Sequence, residues 1–388
     1  MWSGTRARLL YMRSSQAGSY RGKVMGNGLR VVSGIPRDAA APQGPCKRRN
    51  GTGSAESSGQ SPHAASSVTD WRTKKAHDGN RDAPEFPSSQ QNNAMTTTPL
   101  RIAVLGIGMM GLPMARRLSE AGHQVHAWNR TRAKAEPLAQ WGVTVHGSPA
   151  DAVKDADIAI SLLENGPVVG RVLFEQGTAR AMRPGSLFID MASIQPSEAR
   201  DHAARLGELG LTHLDAPVSG GTVGAEAGTL AIMVGGRPED FARAQPVFAS
   251  LGRATHVGPH GAGQLAKLAN QMIVGITIGA VAEALLFAAK GGADMAKVRE
   301  AISGGFADSR ILQLHGQRMV ERDFAPRGRM AVQLKDMRNA LATAQETGFD
   351  APITALFEAL YAEGVDHGLG ELDHSGLFVE LASRNAMQ

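Results

Sequence analysis

Lys267 has the clearest potential for acid–base chemistry in this sequence. It is the sole Lys, Arg, Asp or Glu between His260 and Ala282, and its neighbours on both sides are apolar. Burial in such surroundings lowers the pKa of an amine towards the range in which it exchanges protons near neutral pH. Asn270 lies three residues further on, so a helix places both side chains on one face, and Gln271 can share its role. The alternative interpretation is a surface lysine in an ion pair.

A second candidate site, Ser219-Gly220-Gly221, follows a predicted strand and suits an anion. Adjacent glycines let successive backbone N–H groups converge, and the serine hydroxyl adds a donor. A carboxylate on a small substrate fits this arrangement. A merely flexible loop explains the glycines, but it leaves the preceding Asp-Ala-Pro-Val block unexplained.

A glycine-rich turn of the form G-x-G-x-x-G lies between a predicted strand from Arg101 and a predicted helix over Met109–Ala121. Its residues are Gly106, Ile107, Gly108, Met109, Met110 and Gly111. The three glycines serve the tight turn, the approach of backbone to a pyrophosphate and close helix packing. The helix N-terminus then supplies free N–H groups for phosphates. The motif alone is weak, but with strand, helix and second strand in register it favours a dinucleotide site over an ordinary turn.

The second predicted strand, Gln124–Asn129, leads into Asn129, Arg130, Thr131 and Arg132. An acid at this point would bind the ribose 2′-hydroxyl of NAD. An arginine and a hydroxyl instead suit a 2′-phosphate through charge-assisted hydrogen bonds. The sequence therefore predicts NADP, with NAD left open; the alternative is that both arginines are only solvated charges.

Together these motifs resemble those of the β-hydroxyacid dehydrogenases. That family includes 3-hydroxyisobutyrate dehydrogenase, tartronate semialdehyde reductase and the glyoxylate and succinic semialdehyde reductases. The resemblance covers residues 101 to about 382 and rests on four blocks in order: Gly106 to Ala115, Asp215 to Leu230, Gly263 to Asn270, and Lys335-Asp336.

The resemblance implies hydride transfer between NADP and a small 2- or 3-hydroxyacid or its aldehyde or keto acid, with Lys267 as general acid and base. It also implies cofactor contacts from Leu163, Glu164, Ser193 and Lys335. The family commonly has proline or a similar residue in place of Glu164, so Leu163 is the better supported of that pair. It often has threonine in place of Ser193, which keeps the hydroxyl.

Two other interpretations compete. A relative of 6-phosphogluconate dehydrogenase should bring a longer helical region and extra basic residues, and an imine reductase relative would usually replace Lys267. A catalytically silent nucleotide-binding domain that acts through partners is the rival from another class. The intact Lys267, Asn270 and Ser219–Gly221 set argues against it.

The elements that must position these residues alternate along the chain. Apolar runs at 157–163, 186–190, 211–218 and 229–234 are separated by helical patterns. This alternation predicts an α/β fold with a Rossmann-type, mostly parallel sheet over 98–259. The helical periodicity of residues 260–388 predicts an all-helical substrate and oligomerisation domain. Helices are also expected at 132–140 and Pro196–Gly207.

The apolar stretch 272–289 predicts a helix buried at a domain or subunit junction, because Glu283 interrupts it too soon for a membrane span. Because a helix this long and apolar is difficult for one domain to cover alone, the stretch indicates a homodimer or homotetramer. The 12 histidines include no pair at metal-ligand spacing with supporting carboxylates, so no metal is expected.

The basic charge of the chain is concentrated in residues 1–97, where Lys and Arg outnumber Asp and Glu by 14 to 6. The remainder has 27 basic and 30 acidic residues, which argues against a nucleic-acid partner. Residues 1–97 are predicted to be a disordered leader. Either the functional start is Met95, in a cytoplasmic enzyme, or the acid-free segment 1–37 is an organellar transit peptide. Cys46 is the sole cysteine, which indicates a reducing compartment.

Overall fold

The structure is a computed structural model that describes residues 99–387. The predicted leader, Cys46 and both interpretations of residues 1–97 lie outside the described residues.

One mixed sheet organises the first part of the described chain. Its strands are β1 Arg101–Leu105, β2 Gln124–Trp128, β3 Thr144–Val145, β4 Ile158–Ser161, β5 Leu187–Asp190, β6 Thr212–Asp215, β7 Val218–Ser219, β8 Leu230–Gly236 and β9 Gly252–Gly258. Their order is β3-β2-β1-β4-β5-β6-β8-β7, with β9 paired to β8. Strands β1 to β6 pair in parallel, whereas β8 runs antiparallel to β6 and β7. The order 3-2-1-4-5-6 is that of the doubly wound dinucleotide-binding fold, which confirms the predicted fold class.

The helices alternate with the strands and then continue alone after Gly258. They are α1 Gly111–Glu120, α2 Pro149–Val153, α3 Gly166–Gly170, α4 Thr178–Ala181, α5 Pro196–Glu208, α6 Gly221–Ala227, α7 Pro238–Leu251, α8 Ala262–Lys290, α9 Met295–Ile302, α10 Gln317–Glu321, α11 Met330–Thr347, α12 Pro352–Gly364 and α13 Leu377–Arg384. The predicted boundary at 259/260 falls in the connection between β9 and α8. The division of roles between the two parts stays a prediction.

The helix predicted over 132–140 is the clearest local difference. This segment forms two 3-10 turns, Arg132–Lys134 and Glu136–Trp141, instead of an α-helix. Pro137 lies in its middle, and a proline ring removes an amide donor and clashes with the preceding turn of an α-helix. Strands β3 and β9 were not singled out by the sequence pattern, because one is very short and the other has few apolar residues.

Two apolar layers cover the two faces of the sheet. In β1, Ile102 and Val104 join one layer, whereas Ala103 and Leu105 join the other, as the alternation of side chains along a strand requires. All four are fully buried. The carboxyl ends of the parallel strands are thereby held at one edge, where ligands of such sheets bind.

Helix α8 connects the sheet to the helices that follow. Gly263 in its first turn lies against the sheet: a Cβ there would be 2.4 Å from the Asp215 carbonyl oxygen and 2.5 Å from that of Met233. Further along, α11 and α13 pack against the same helix. By length and composition alone α8 could cross a membrane, and 39% of its most apolar window is buried within the fold. Ile273 and Phe287 remain 67% and 80% exposed, which leaves an apolar face uncovered.

Candidate active site

The glycine-rich turn has the geometry that a pyrophosphate needs. Gly106 has a φ of +105°, and a Cβ there would lie 2.5 Å from the Leu162 carbonyl oxygen. A Cβ on Gly111 would lie 2.0 Å from the Gly106 carbonyl oxygen, so this glycine permits α1 to begin close to the strand. A Cβ on Gly108 would meet no atom within 4 Å. Gly106 and Gly111 are therefore required by packing, whereas Gly108 leaves open space where a ligand can approach. Residues 106–111 thus fit a dinucleotide.

Asn129 holds this turn in place from the end of β2. Its Oδ1 accepts a hydrogen bond of 3.0 Å from the Ile107 amide, and its Nδ2 donates to the Thr131 carbonyl at 2.8 Å. Arg130 and Thr131 follow and are exposed. Arg130 forms no ion pair within residues 99–387, whereas Arg132 pairs with Glu136 at 3.4 Å. The Arg130 guanidinium is thus available to an anionic ligand.

Leu163 and Glu164, in the loop after β4, differ in their surroundings. Leu163 is partly buried, and its Cδ2 would be 3.1 Å from a Cβ on Gly106, so it packs beside the glycine-rich turn. Glu164 is exposed. The structure therefore brings Leu163, and not the carboxylate of Glu164, against the turn.

Ser193, in the loop after β5, is joined to helix α11. Its Oγ donates to Asp336 Oδ1 at 3.1 Å, and its carbonyl oxygen accepts from Lys335 Nζ at 2.9 Å. Lys335 also forms an ion pair with Asp336 at 3.0 Å. The predicted reach of Lys335 across from the helical part therefore ends at the loop that contains Ser193.

Gln264 fixes the same loop to the start of α8. Its Oε1 accepts from the Ile194 amide at 3.1 Å, and its Nε2 donates to the Ala192 carbonyl at 2.8 Å. It is fully buried. Since Lys267 lies one turn further along the helix, this amide sets the position of Ser193 relative to that lysine.

Lys267 is partly buried and belongs to a chain of polar contacts between α8 and α11. Its Nζ donates to Gln271 Oε1 at 3.0 Å, and Gln271 Nε2 donates to Asp336 Oδ2 at 2.7 Å. Asn270 Nδ2 donates to the same Gln271 oxygen at 2.9 Å. Gln333 Nε2 donates to the backbone carbonyl oxygen of Gln271 at 3.0 Å. The structure therefore brings Lys267, Asn270, Ser193 and Lys335 into one network.

Burial is the main electrostatic influence on Lys267. It lowers the pKa of the amine below the ordinary value of 10.5, the nearby Lys335 lowers it further, and Asp336 raises it. The amine forms no ion pair with a carboxylate within residues 99–387, so nothing in the described chain holds it permanently protonated. These are the surroundings that lower the pKa of a lysine amine.

The Ser219-Gly220-Gly221 loop lies at the end of β7 and leads into α6. Gly220 and Gly221 are exposed, with φ angles of +138° and +61° that favour glycine. Ser219 pairs with Ala231 of β8, and β8 also contacts α8. The loop and the first turns of α8 thus have a common neighbour, and the first amides of α6 have no carbonyl partner in their own helix.

Asp373 caps the 3-10 turn that follows it, His374–Gly376. Its carboxylate accepts from the Ser375 amide at 3.2 Å and from Arg318 at 3.2 Å. Burial lowers the pKa of the adjacent His374 to about 4, and the charges of Arg318 and Lys267 act in the same direction. This histidine is therefore neutral at neutral pH.

Sequence reasoning gave too little weight to three amide and carboxylate groups. Gln271, and not Asn270, is the direct partner of Lys267, while Asp336 and Gln264 join loop and helices. A signal was available for Gln271, which lies four residues after Lys267 and therefore on the same helix face. Gln264 and Asp336 lie in two of the blocks that carry the resemblance, but their hydrogen-bond partners could not be predicted because these are distant in sequence.

Two family models match successive parts of the chain. Residues 101–258 match the NAD-binding domain of 6-phosphogluconate dehydrogenase, and residues 261–381 match the NAD-binding part of NADP-dependent 3-hydroxyisobutyrate dehydrogenase.

Similar proteins share most of the described length. The chain is 43% identical over 280 residues to 2-hydroxy-3-oxopropionate reductase of Escherichia coli, covering 72% of this chain and 96% of the relative. It is 36% identical over 285 residues to 3-hydroxyisobutyrate dehydrogenase of Pseudomonas aeruginosa, covering 71% and 95%. A solved structure of Mycobacterium tuberculosis 3-hydroxyisobutyrate dehydrogenase with L-serine matches with a TM-score of 0.68 and 34% identity, covering 73% of this chain and 99% of that one.

Proposed function

We propose, from the premise that this chain belongs to the β-hydroxyacid dehydrogenase family, that it interconverts a small 2- or 3-hydroxyacid and its aldehyde or keto acid with NADP. Its relatives identify it as an NAD(P)-dependent hydroxyacid dehydrogenase of the 3-hydroxyisobutyrate dehydrogenase type. The preference for NADP, the acid–base group and the substrate class are our proposal.

The observation that carries the proposal is the state of Lys267. Its amine is partly buried with a lowered pKa, and its hydrogen-bond partner is the neutral amide of Gln271. When bound, the nicotinamide supplies or accepts the hydride. In the reducing direction the Lys267 ammonium would donate a proton to the carbonyl oxygen of the substrate. In the oxidising direction the neutral amine removes the hydroxyl proton.

The remaining residues of the site would bind and orient the ligands. The glycine-rich turn receives the pyrophosphate, while Leu163, Glu164, Ser193 and Lys335 line the rest of the cofactor. Ser219-Gly220-Gly221 binds the substrate carboxylate through backbone amides and a hydroxyl. Asn270 contacts the substrate oxygen or acts with Gln271 to orient Lys267.

The names of the relatives support a short substrate with one carboxylate. The Escherichia coli relative is named for a three-carbon hydroxyacid aldehyde, and the Mycobacterium tuberculosis structure contains L-serine, which is itself a 3-hydroxy carboxylate. We therefore place three- and four-carbon hydroxyacids first among candidate substrates.

Turnover of a substrate panel tests this function. Purified full-length protein is mixed with NADPH or NADH and with glyoxylate, succinic semialdehyde, 2-hydroxy-3-oxopropionate or methylmalonate semialdehyde, and absorbance of the reduced nicotinamide is followed. We expect turnover of at least one aldehyde, with a higher kcat/KM for NADPH. A protein that binds NADPH and turns over none of them would instead support the silent nucleotide-binding domain.

Replacement of Arg130 by aspartate tests the choice of cofactor. The guanidinium is exposed and forms no ion pair within residues 99–387, so the change should not disturb the fold. It replaces a 2′-phosphate ligand by a repelling charge, and a charge-assisted hydrogen bond contributes about 1.5–3 kcal/mol. We expect the ratio of kcat/KM for NADPH to that for NADH to fall at least about tenfold.

Arg116→Asp is the matched control, because it makes the same change of net charge at an exposed arginine that pairs with Glu120 on α1. A cofactor ratio that is the same in both variants would exclude Arg130 as the 2′-phosphate ligand.

We also propose that the enzyme is a homodimer or homotetramer assembled through its helical part. Exposed apolar side chains support this assembly: Ile273 and Phe287 on α8, and Ile353 and Leu356 on α12, are each at least 60% exposed. Apolar faces of this size are usually covered in the functional state.

A further inference from the structure

Two segments distant in sequence bring His213, Asp215 and His260 together at the start of α8. Strand β6 places His213 and Asp215 two residues apart, and therefore on one face. His260 lies two residues before α8. One ring nitrogen from each histidine and one carboxylate oxygen all lie within 4.8 Å of one another.

The imidazoles of this cluster lack hydrogen-bond partners. Nδ1 and Nε2 of His213, and Nδ1 of His260, are buried without a partner in the part of the chain that the structure describes. His213 is 2% exposed, and its ring is stacked on Phe188. Because buried polar groups are nearly always satisfied, these nitrogens indicate a missing partner.

The charge around the cluster also points to a cation. Asp215 and Asp190, which are register partners in β6 and β5, are both fully buried. Neither forms an ion pair within residues 99–387. Asp215 accepts from the amides of Gly261 at 2.8 Å and Gln264 at 2.9 Å, and Asp190 Oδ2 has no described partner. Buried carboxylates without a compensating cation are costly.

Two glycines of β8 make room for the cluster. A Cβ on Gly235 would be 2.6 Å from Asp215 Oδ1 and 2.8 Å from Oδ2. A Cβ on Gly236 would be 3.3 Å from the His260 ring. Any other residue at position 235 would therefore overlap the carboxylate.

A second cluster of two histidines and one aspartate differs in having a cationic partner. His315, Asp373 and His374 also lie within 4.8 Å of one another. There, Arg318 contacts both Asp373 and His315, at 3.2 and 3.3 Å, so a cationic side chain already occupies the site.

We propose that His213, Asp215 and His260 bind a divalent transition-metal ion of the Zn²⁺ type. Two imidazole nitrogens and one carboxylate oxygen are a ligand set that Zn²⁺ takes with a fourth position left for water. The three ligand atoms lie within 4.8 Å of one another, and coordination would bring them to the ~3.3 Å ligand–ligand edge of a tetrahedral zinc site. The ion would clamp the start of α8 to β6 and so fix the helix that contains Lys267. Under this proposal the expectation of no metal site no longer holds, because that expectation considered only short spacings in sequence.

Metal content and thermal stability test this site independently of catalysis. The full chain is stripped with a chelator, loaded with Zn²⁺, dialysed and analysed for bound metal, and its melting is followed with and without Zn²⁺. We expect one tightly held ion per chain and a rise in Tm of roughly 5 °C at a hundredfold excess over Kd. Co²⁺ in place of Zn²⁺ should give visible absorption bands typical of four-coordinate geometry.

His260→Asn removes the partly exposed ligand, and His213→Phe removes the buried one while keeping a ring beside Phe188. Each should weaken Zn²⁺ binding at least tenfold, since even outer-shell substitutions reach that effect. His146→Asn, a partly buried histidine beside β3, is the control and should bind as the parent does. Metal content well below one per chain, or equal metal binding by His260→Asn and the parent, would overturn the proposal. The first result would mean that protons compensate the buried carboxylates.

Discussion

Lys267→Ala is expected to lower kcat by at least about 100-fold in both directions, the range typical of losing a general acid or base. Binding of NADPH should persist, because the glycine-rich turn and the end of β2 are unchanged. Steady-state rates and a fluorescence titration with NADPH separate the two effects. Lys290→Ala, at the exposed end of the same helix, is the matched control; its amine donates to the Asn385 carbonyl. Full activity of Lys267→Ala would exclude this lysine as the acid–base group.

The pH dependence of the parent enzyme has a predictable sign. Oxidation needs the neutral amine, so its rate should rise with pH through a midpoint below 10.5, whereas reduction should decline through the same midpoint. Asp336 raises the pKa of Lys267 and Lys335 lowers it. Asp336→Asn should therefore move the midpoint to lower pH, and Lys335→Met to higher pH. Shifts in the same direction would mean that Lys267 does not control the profile.

Gly108→Val is expected to weaken NADP binding at least tenfold, or by about 1.4 kcal/mol, without lowering Tm. A Cβ at this position meets no protein atom within 4 Å, so the fold has room for the side chain. The added methyl groups would instead enter the space through which the pyrophosphate approaches the backbone. Equilibrium titration with NADPH, alongside thermal melting, measures both quantities.

Gly111→Ala provides the comparison for this prediction. Its Cβ would overlap the Gly106 carbonyl oxygen, so this variant should lose stability as well as cofactor affinity. Unchanged NADPH affinity in Gly108→Val would show that the cofactor does not approach the turn at this residue.

Local sequence signals identified the elements whose properties depend on neighbours along the chain. The turn 106–111 was found because glycine spacing, strand and helix are all local, and the confirmed fold class, with its mostly parallel sheet, follows from regular strand–helix alternation. Failure at 132–140 is equally local, since Pro137 overrode an otherwise helical pattern.

The partners of the site residues depended on contacts between distant segments. Lys267 stood out in sequence as an isolated charge among apolar residues. That Gln271 rather than Asn270 holds it depends on Asp336 and Gln333, which lie more than sixty residues away and orient the Gln271 amide. The hydrogen bonds of Gln264 and the meeting of His213, Asp215 and His260 likewise depend on contacts between distant segments. Composition and periodicity specify which face of an element is apolar, but packing of α8 against the sheet and α11 selects which polar groups meet there, because hydrogen bonds require contact within about 3 Å.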